Sequence, residues 1–335
     1  MVRYGIRFIA VVLLSCGILI WMVTLIGQQS NNELVSFIAE FDDQTDIYLY
    51  DPLRGDLFNI TYTAFPEWSY DWSDERTLSY SASVTRDQVA DRLFIMPRIG
   101  NATQLDLPQI LYSFGNVWSP DGTTLAYFSS QPRNYSDIYT ISFPGLEISN
   151  LTLTDTLSET NPQWSPQGDR LLYLMDGNLY LYDMQSAESE LLLDSRQSIE
   201  SPIWSPDGEW IAFYEIRFVN GSNVRFVYIL RVDEGRVQPL NLDFSLNGSP
   251  VTWSPDSQQI ALIADNTTLV IYDLLYDRIQ EIPGENRRSA PQWSPEGRWI
   301  AFIETRQLHT YDVTSGDIHQ LDREGLVKPP LIWRP

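Results

Sequence analysis

Residues 204–215 read WSPDGEWIAFYE, a tight turn followed by an apolar run, and this phrase decides the fold because it recurs along the chain. Pro206 fixes φ at the second position of the turn, and Gly208 takes the last position, where φ is often positive. The apolar run shows no helical periodicity and therefore predicts a β-strand. Four further copies are clear and one is degenerate; they begin at Trp118, Trp164, Trp253, Trp293 and, for the degenerate copy, Trp72.

Each copy continues into three more short apolar segments with turn residues between them. The tryptophans recur every 40 to 49 residues, and four strands in such a period are typical of one blade of a β-propeller. Because a tryptophan occupies the same place in every unit, we expect these rings to pack between neighbouring blades and not to contact a ligand. They are Trp72, Trp118, Trp164, Trp204, Trp253, Trp293 and Trp333.

The two ends of the chain complement each other. Residues 330–335, PLIWRP, repeat the innermost strand, and residues 34–39, 46–51 and 57–61 match the second, third and fourth strands of a unit. Six whole units and this composite one predict an all-β, seven-bladed propeller over residues 34–335, closed by its N- and C-terminal strands. Six blades is the alternative, if the degenerate Trp72 unit forms no blade.

These repeats resemble the WD40-like repeats of the TolB family and the non-catalytic propellers of prolyl-oligopeptidase-type enzymes. The resemblance covers residues 34–335 and rests on the five clear Trp-Ser-Pro phrases. It implies a propeller fold and says much less about function, because propellers host many functions. Members of the TolB family usually carry a separate N-terminal α/β domain, and residues 28–33 leave no room for one. We therefore expect no role in a Tol assembly.

The N-terminal region carries a different signal. Residues 8–27, FIAVVLLSCGILIWMVTLIG, contain no charge and, as a helix, would be about 30 Å long, enough to cross a bilayer core. Arg3 and Arg7 precede this run, so the positive-inside rule predicts a cytoplasmic segment 1–7, a transmembrane signal anchor 8–27, a linker 28–33 and an extracytoplasmic propeller. The alternatives are a cleaved secretory signal and a lipoprotein signal in which Cys16 is lipidated.

Composition limits the partners and the chemistry. With 44 acidic and 22 basic residues the formal charge is −22, which disfavours nucleic acid. A single cysteine excludes an internal disulfide framework and a zinc site with several thiolates. No nucleophile elbow or phosphate loop occurs. We expect no cofactor, with calcium on clustered carboxylates left open. His309 and His319 fall on the outer strands of the last blade.

We name the strands of a blade A to D from the central channel outwards. The A–B and C–D turns then share one face, the turn face, and the B–C and D–A loops share the other, the variable face. Irregular B–C insertions are predicted at residues 83–90, 129–136 and 217–224, where function usually resides. The D–A loops are expected to bring candidate ligand-binding groups to the channel mouth. These are Glu159, Asn161, Glu200, Asn247, Arg287, Arg288 and Lys328.

The sequence favours a monomeric, membrane-anchored scaffold that binds a protein, peptide or glycan outside the cytoplasm and performs no chemistry. One alternative is a propeller enzyme, such as a glycan lyase or hydrolase, that uses channel-mouth carboxylates with Arg287 and Arg288. Another is an accessory subunit that gates a partner hydrolase. The scaffold is favoured because no catalytic constellation stands apart from the repeat. Asn-x-Ser/Thr triplets, as at Asn59 and Asn150, are interpreted as strand-end and turn residues.

Overall fold

The Trp-Ser-Pro-Asp-Gly phrase folds into the turn that joins the two inner strands of a blade. The Ser205 amide donates to the carbonyl of Trp210 (2.8 Å), and the Ser205 hydroxyl oxygen accepts from the Trp210 amide (2.9 Å). The Gly208 amide donates to the carbonyl of Ser205 (2.9 Å), with φ at 75°, a value that favours glycine. The turn is therefore held by its own serine and glycine, which explains why both recur.

The computed structural model describes residues 33–63, 65–73, 76–83, 91–97, 99, 102–105, 113–130, 135–154, 156–246, 248–323 and 325–334. The first half of the strands, in chain order, comprises β1 (Leu34–Phe41), β2 (Gln44–Asp51), β3 (Asp56–Asn59), β4 (Glu67–Trp72), β5 (Leu78–Ser83), β6 (Asp91–Met96), β7 (Thr103–Gln104), β8 (Ser113–Trp118), β9 (Thr124–Ser130), β10 (Ser136–Ser142), β11 (Glu147–Asn150), β12 (Glu159–Trp164), β13 (Arg170–Met175) and β14 (Asn178–Asp183). The second half comprises β15 (Glu188–Leu193), β16 (Ser198–Trp204), β17 (Trp210–Val219), β18 (Ser222–Arg231), β19 (Arg236–Pro239), β20 (Thr252–Trp253), β21 (Gln259–Ala264), β22 (Thr268–Asp273), β23 (Arg278–Ile282), β24 (Arg288–Trp293), β25 (Trp299–Glu304), β26 (Gln307–Asp312), β27 (Ile318–Gln320) and β28 (Leu326–Arg334).

These strands form seven antiparallel four-stranded sheets, the seven blades predicted from the repeat. Blade 1 is the composite, in the order β28-β1-β2-β3, so the C-terminal strand lies innermost beside three N-terminal strands. The degenerate Trp72 unit forms its own sheet, β4-β5-β6-β7, which excludes the six-bladed alternative. Blades 3 to 7 follow in chain order, each with its first strand innermost.

The core lies between the blades. Seven clusters of buried side chains each join one blade to the next, including one between blades 7 and 1. In β1, Val35 and Phe37 face blade 7, while the alternate residues Leu34 and Ile38 face blade 2. A strand with neighbours on both faces needs apolar side chains on both, which explains why the strands read as continuous apolar runs.

Two predicted features fall outside the described residues. The anchor at 8–27, with Cys16, precedes Glu33, and so does all but the last residue of the linker. Among the residues that the structure describes, no helix combines the length and apolarity needed to span a membrane.

One of the predicted B–C insertions is not an irregular loop. Residues 217–224 continue β17 and β18 as a regular hairpin around Asn220 and Gly221, because residues on the two strands pair without a break from Trp210 to Val219. Most of the other two insertions, residues 84–90 and 131–134, lies outside the described part of the chain.

Candidate functional site

The predicted channel-mouth residues lie mostly in strands and not in loops. Glu159 and Asn161 belong to β12, and Glu200 belongs to β16. Arg288 and Lys328 lie in β24 and β28. Arg287 ends the loop before β24 and is exposed, whereas Asn247 is outside the described residues. The correction has a physical reason: strand A borders the channel and needs no partner on that side, so it continues past the prolines that suggested a loop.

Glu67 ends a polar network that the sequence did not reveal, at the junction of blades 1 and 2. The Asn59 amide donates to Asp46 Oδ2 (2.6 Å), and the Thr63 backbone amide donates to Asp46 Oδ1 (2.9 Å). Thr61 Oγ1 accepts from the Ile47 amide, and the Thr63 hydroxyl donates to Glu67 Oε1 (2.6 Å). Both Asp46 and Glu67 are buried. The network covers the end of β2 and ties it to the next blade.

The same network recurs at the junction of blades 3 and 4. The Asn150 amide donates to Asp137 Oδ2 (2.7 Å), and the Thr154 amide donates to Asp137 Oδ1 (3.1 Å). The hydroxyls of Thr154 and Thr152 donate to the two oxygens of Glu159, at 2.7 and 3.3 Å. Glu159, proposed as a ligand-binding residue, is therefore buried and bonded within the protein.

Both networks share a sequence signal, Asp-Ile-Tyr followed by Asn-x-Thr-x-Thr and then glutamate. The signal runs from Asp46 to Glu67 and from Asp137 to Glu159. Asn59 and Asn150 are thus more than turn residues, since their side-chain amides donate to buried carboxylates. Burial raises the pKa of Glu67 to about 7 and also raises the pKa of Glu159.

Arg288 is the corresponding residue of blade 7, at the junction with blade 6. Its Nε lies 3.2 Å from Glu304 Oε2, and its Nη1 donates to the carbonyl of Ile282 (2.7 Å). Its guanidinium also lies over the Phe302 ring, 4.8 Å from the centroid. Arg288 is buried, so it joins two blades and is not part of an accessible surface. Its assignment as a ligand-binding residue stays a prediction.

Two further predicted residues are engaged in ion pairs. Glu200 Oε2 lies 2.9 Å from Arg225 Nε, and Lys328 Nζ lies 3.1 Å from Glu40 Oε2. All four of these side chains are at least partly exposed to solvent. Each pair joins two strands of one blade: Glu200 and Arg225 link β16 to β18 across β17, and Lys328 and Glu40 link the adjacent strands β28 and β1. The charges proposed for a ligand are thus largely used to hold the rim of the channel together.

Bulges give the inner strands a common bend at the channel mouth. The pairing register of β12, β16 and β24 shifts at this point. Within the shift Asn161, Ser201 and Ala290 adopt φ of 50° to 55°, each directly before a proline. Left-handed backbone in residues other than glycine is costly and is held by the surrounding packing. Asn161 is exposed there, as is Arg287 in the loop before β24.

Exposed apolar side chains stand on the variable face. Tyr62 is 62% exposed, Leu153 is 76% exposed and Phe218 is 75% exposed. Tyr62 and Leu153 occupy matching positions in the two Asn-x-Thr-x-Thr segments, each with a left-handed φ. Exposed apolar side chains can supply contact area for a partner. The turn face carries others, among them Leu53 and Leu275.

The two histidines do not approach each other. His309 stacks on Phe302, and burial lowers its pKa, whereas His319 meets the edge of Trp299. His319 pairs with Thr310, the neighbour of His309, so the two imidazoles lie on opposite faces of blade 7. In the described ranges no group of three or more His, Cys, Asp or Glu side chains is arranged to hold a metal ion.

The inner-strand tryptophans lie at the blade junctions. The indole N–H groups of Trp164, Trp253 and Trp333 donate to the carbonyl that precedes the tryptophan of the previous blade, at 3.2, 3.3 and 3.0 Å. Trp72 donates to Ser36 Oγ (3.0 Å) of blade 1. The buried indole N–H groups of the other three have no hydrogen-bond partner among the described residues. They are Trp118, Trp204 and Trp293.

No family model matches the chain. Over 216 residues, 59% of the chain, the sequence is 24% identical to YuxL, an uncharacterized peptidase of Bacillus subtilis strain 168, and the match covers 30% of that protein. The matched segments of three curated relatives span from 24% to 50% of their lengths.

Solved structures share the propeller. TolB of Acinetobacter baumannii superposes with a TM-score of 0.58 at 16% identity, over 80% of this chain and 68% of that one. An oligogalacturonate lyase solved in complex with manganese superposes with a TM-score of 0.63 at 14% identity, over 88% of this chain and 85% of that one. At such identities the likeness shows the fold alone, a β-propeller whose structural neighbours include a TolB and a lyase.

Proposed function

We propose that this propeller is a non-catalytic scaffold that binds a protein, peptide or glycan through its variable face. The observation that carries the proposal is the contrast between the two kinds of side chain on that face. Glu159, Glu200, Arg288 and Lys328 are bonded or ion-paired within the protein, whereas large apolar side chains such as Phe218 project into solvent. Charges used in this way hold the scaffold, and exposed apolar groups supply contact area for a partner.

Paired substitutions on the two faces test the binding role. Tyr62→Ser, Leu153→Ser and Phe218→Ser together remove apolar area from the variable face. The matched control, Leu53→Ser, Leu146→Ser and Leu275→Ser, removes apolar side chains from three C–D turns of the turn face. We expect chemical crosslinking of the full chain in its native membranes to lose its partner in the first variant and keep it in the second. Loss in the control alone, or turnover of glycans or peptides by the pure protein, would contradict the proposal.

A gating role is the second candidate, supported by the peptidase name of one relative. The match covers 30% of that relative, so most of the relative's length lies outside the matched segment. In this role the variable face would pack against a separate hydrolase and limit access to it. Co-purification of a peptidase activity that the variable-face substitutions release, and the turn-face control retains, would favour gating over a simple scaffold.

We also propose export and membrane attachment through residues 8–27. The uncharged run of 20 residues and the preceding Arg3 and Arg7 support this placement. The full chain should sediment with membranes, and a chain that starts at Glu33 should not. Electrophoretic mobility separates the two modes of attachment, because Cys16→Ser blocks the lipidation and cleavage of a lipoprotein precursor and leaves a transmembrane anchor unchanged.

A further inference from the structure

Blade 5 carries a hairpin that is longer than its counterparts. β17 and β18 have ten residues each, whereas β13, β21 and β25 have six. The last pair that joins β17 to the inner strand is Ile216 with Ser198, and beyond it β17 and β18 pair only with each other. The hairpin therefore rises above the sheet on the variable face.

The outer edge of this extension is open. β19 pairs with β18 only from Tyr228 to Arg231, and the Leu240 amide makes the last contact on that side, to the carbonyl of Val227 (2.9 Å). A two-residue turn makes Val219 and Ser222 a hydrogen-bonded pair, so along β18 the residues that turn their amide and carbonyl away from β17 are Asn223, Arg225 and Val227. In the described part of the chain, the backbone groups of Asn223 and Arg225 have no hydrogen-bond partner.

In other blades, further hydrogen bonds cover the start of strand C beside the residue that corresponds to Val227, which is Ile47 in blade 1 and Ile138 in blade 3. In blade 1, Thr61 Oγ1 accepts from the Ile47 amide and Asp46 accepts from the Thr63 amide, so the Asn-x-Thr-x-Thr segment closes the end of strand C. Blade 3 repeats these bonds, and in blade 4 the Asn178 side chain accepts from the Ser195 amide (3.0 Å). After β19 the chain reads Leu-Asn-Leu-Asp, which lacks the motif, so blade 5 leaves the edge uncovered.

Side chains on the two faces of the edge indicate what fits it. Val224 and Phe226 lie on one face, with the Arg217 guanidinium 5.2 Å from the Phe226 ring centroid. Asn223 and Arg225 lie on the other. Arg217 and Arg225 are paired with Glu215 and Glu200, so the edge carries no net charge in a chain of formal charge −22. Such an edge suits a strand that is apolar on one face and polar but uncharged on the other.

We propose that the outer edge of β18, at Asn223 and Arg225, binds an extended peptide segment of a partner as a fifth strand of blade 5. The four outward backbone groups provide up to four hydrogen bonds, the mode of recognition known as β-strand addition. This inference rests on the proposed binding role of the variable face and specifies the partner as an uncharged segment that alternates apolar and polar residues.

Asn223→Pro tests the edge with little disturbance of the hairpin. Asn223 forms a non-hydrogen-bonded pair with Phe218. Proline at this position therefore removes an outward-facing amide and breaks no hydrogen bond between β18 and β17. Asn223→Ala is the matched control, since it removes the side chain and keeps the amide. The probe is an end-blocked, fluorescent eight-residue peptide that alternates valine and threonine, titrated against the full-length chain in detergent.

We expect the proline variant to bind this peptide at least about tenfold more weakly than the wild type and the alanine variant to bind within about twofold of it. The peptide should also slow hydrogen exchange at the Asn223 and Arg225 amides. Two further probes carry N-methyl groups on all their valines or on all their threonines. Only one of them should lose binding, because only one edge of the peptide faces β18. This second measurement does not depend on how the variant folds.

Three outcomes overturn the edge inference. Equal binding to the wild type and the proline variant does so, and so does the absence of any binding by the peptide. Dimerisation of the full chain that Asn223→Pro abolishes would show that a second copy occupies the edge. None of these outcomes decides the broader role of the variable face, which the crosslinking comparison of its apolar side chains tests separately.

Discussion

At Glu67, burial disfavours the charged form of the carboxyl group. Its Oε1 accepts a hydrogen bond from Thr63, but its Oε2 is buried without a partner among the described residues. Burial raises the pKa of Glu67 from 4.5 to about 7, so the folded protein holds the proton more tightly than the unfolded chain does. The stabilisation is therefore complete below about pH 4.5 and is lost as the pH rises to about 7.

Glu67→Gln should remove this pH dependence, because glutamine keeps the shape of the side chain and cannot ionise. At pH 8 we expect the free energy of unfolding of the variant to exceed that of the wild type by up to about 3 kcal/mol, and at pH 4.5 the two should be nearly equal. Urea unfolding at both pH values measures the difference. Glu188→Gln, at an exposed position of β15, is the control and should show no such change. An advantage of Glu67→Gln that is equal at both pH values would contradict the assignment.

At the scale of the elements, the inner strands are joined by tryptophan in two ways. Trp333 of β28 donates its indole N–H to the carbonyl of Gln292 in β24. Trp293, at the same position of β24, is equally buried, but its N–H has no partner among the described residues. Along blades 3 to 7 and on to blade 1, bonded and unbonded indoles alternate. The two kinds of junction should respond differently to loss of the N–H group.

Trp333→Phe should destabilise the propeller more than Trp293→Phe. Both changes reduce the buried ring, but only the first removes a hydrogen bond, which is worth about 1 kcal/mol. Thermal unfolding of the two variants under one set of conditions gives the comparison. If Trp293→Phe proved the more damaging, hydrogen bonding by the indoles would not distinguish these junctions.

At the scale of the whole molecule, the ring depends on β28. This strand pairs with β1 along almost its whole length and contacts the inner strands of blades 7 and 2. The Tyr70 hydroxyl of blade 2 donates to the carbonyl of Pro330 (3.2 Å). Without β28 the exposed edge of β1 would be a long, apolar edge strand, which is an aggregation hazard.

A chain that ends at Asp322 should therefore fail to give a cooperative thermal transition and should self-associate. The reason is that this chain cannot close the ring, and not simply that it is shorter. Supplying the missing strand as a separate peptide with the sequence of residues 323–335 should restore part of the transition, whereas a scrambled peptide should not. A truncated chain that unfolds as cooperatively as the full one would show that the other six blades are stable alone.

The repeat was sufficient to predict the blades and their closure because each unit carries its own turn chemistry, as in Ser205 to Gly208. The site was harder to predict. Asn161 and Ser201 precede prolines that read as loop, but a channel-facing edge tolerates proline, so the strands continue. The partner of Arg288, Glu304, lies on the adjacent strand of the same blade. Strand pairing decides which charged side chains form ion pairs within the protein, and no local sequence pattern shows which strands pair.

The composite blade also sets the order of events during synthesis. The Ser36 hydroxyl donates to the carbonyl of Ile332, a residue 296 positions later. At roughly 5 to 20 residues per second, β1 is made roughly 15 to 60 s before the strand that completes its sheet. Throughout that interval one edge of the first blade is without its partner strand. The ring therefore closes only after β28 has been synthesised, and until then the nascent chain has an open sheet edge that needs protection from association.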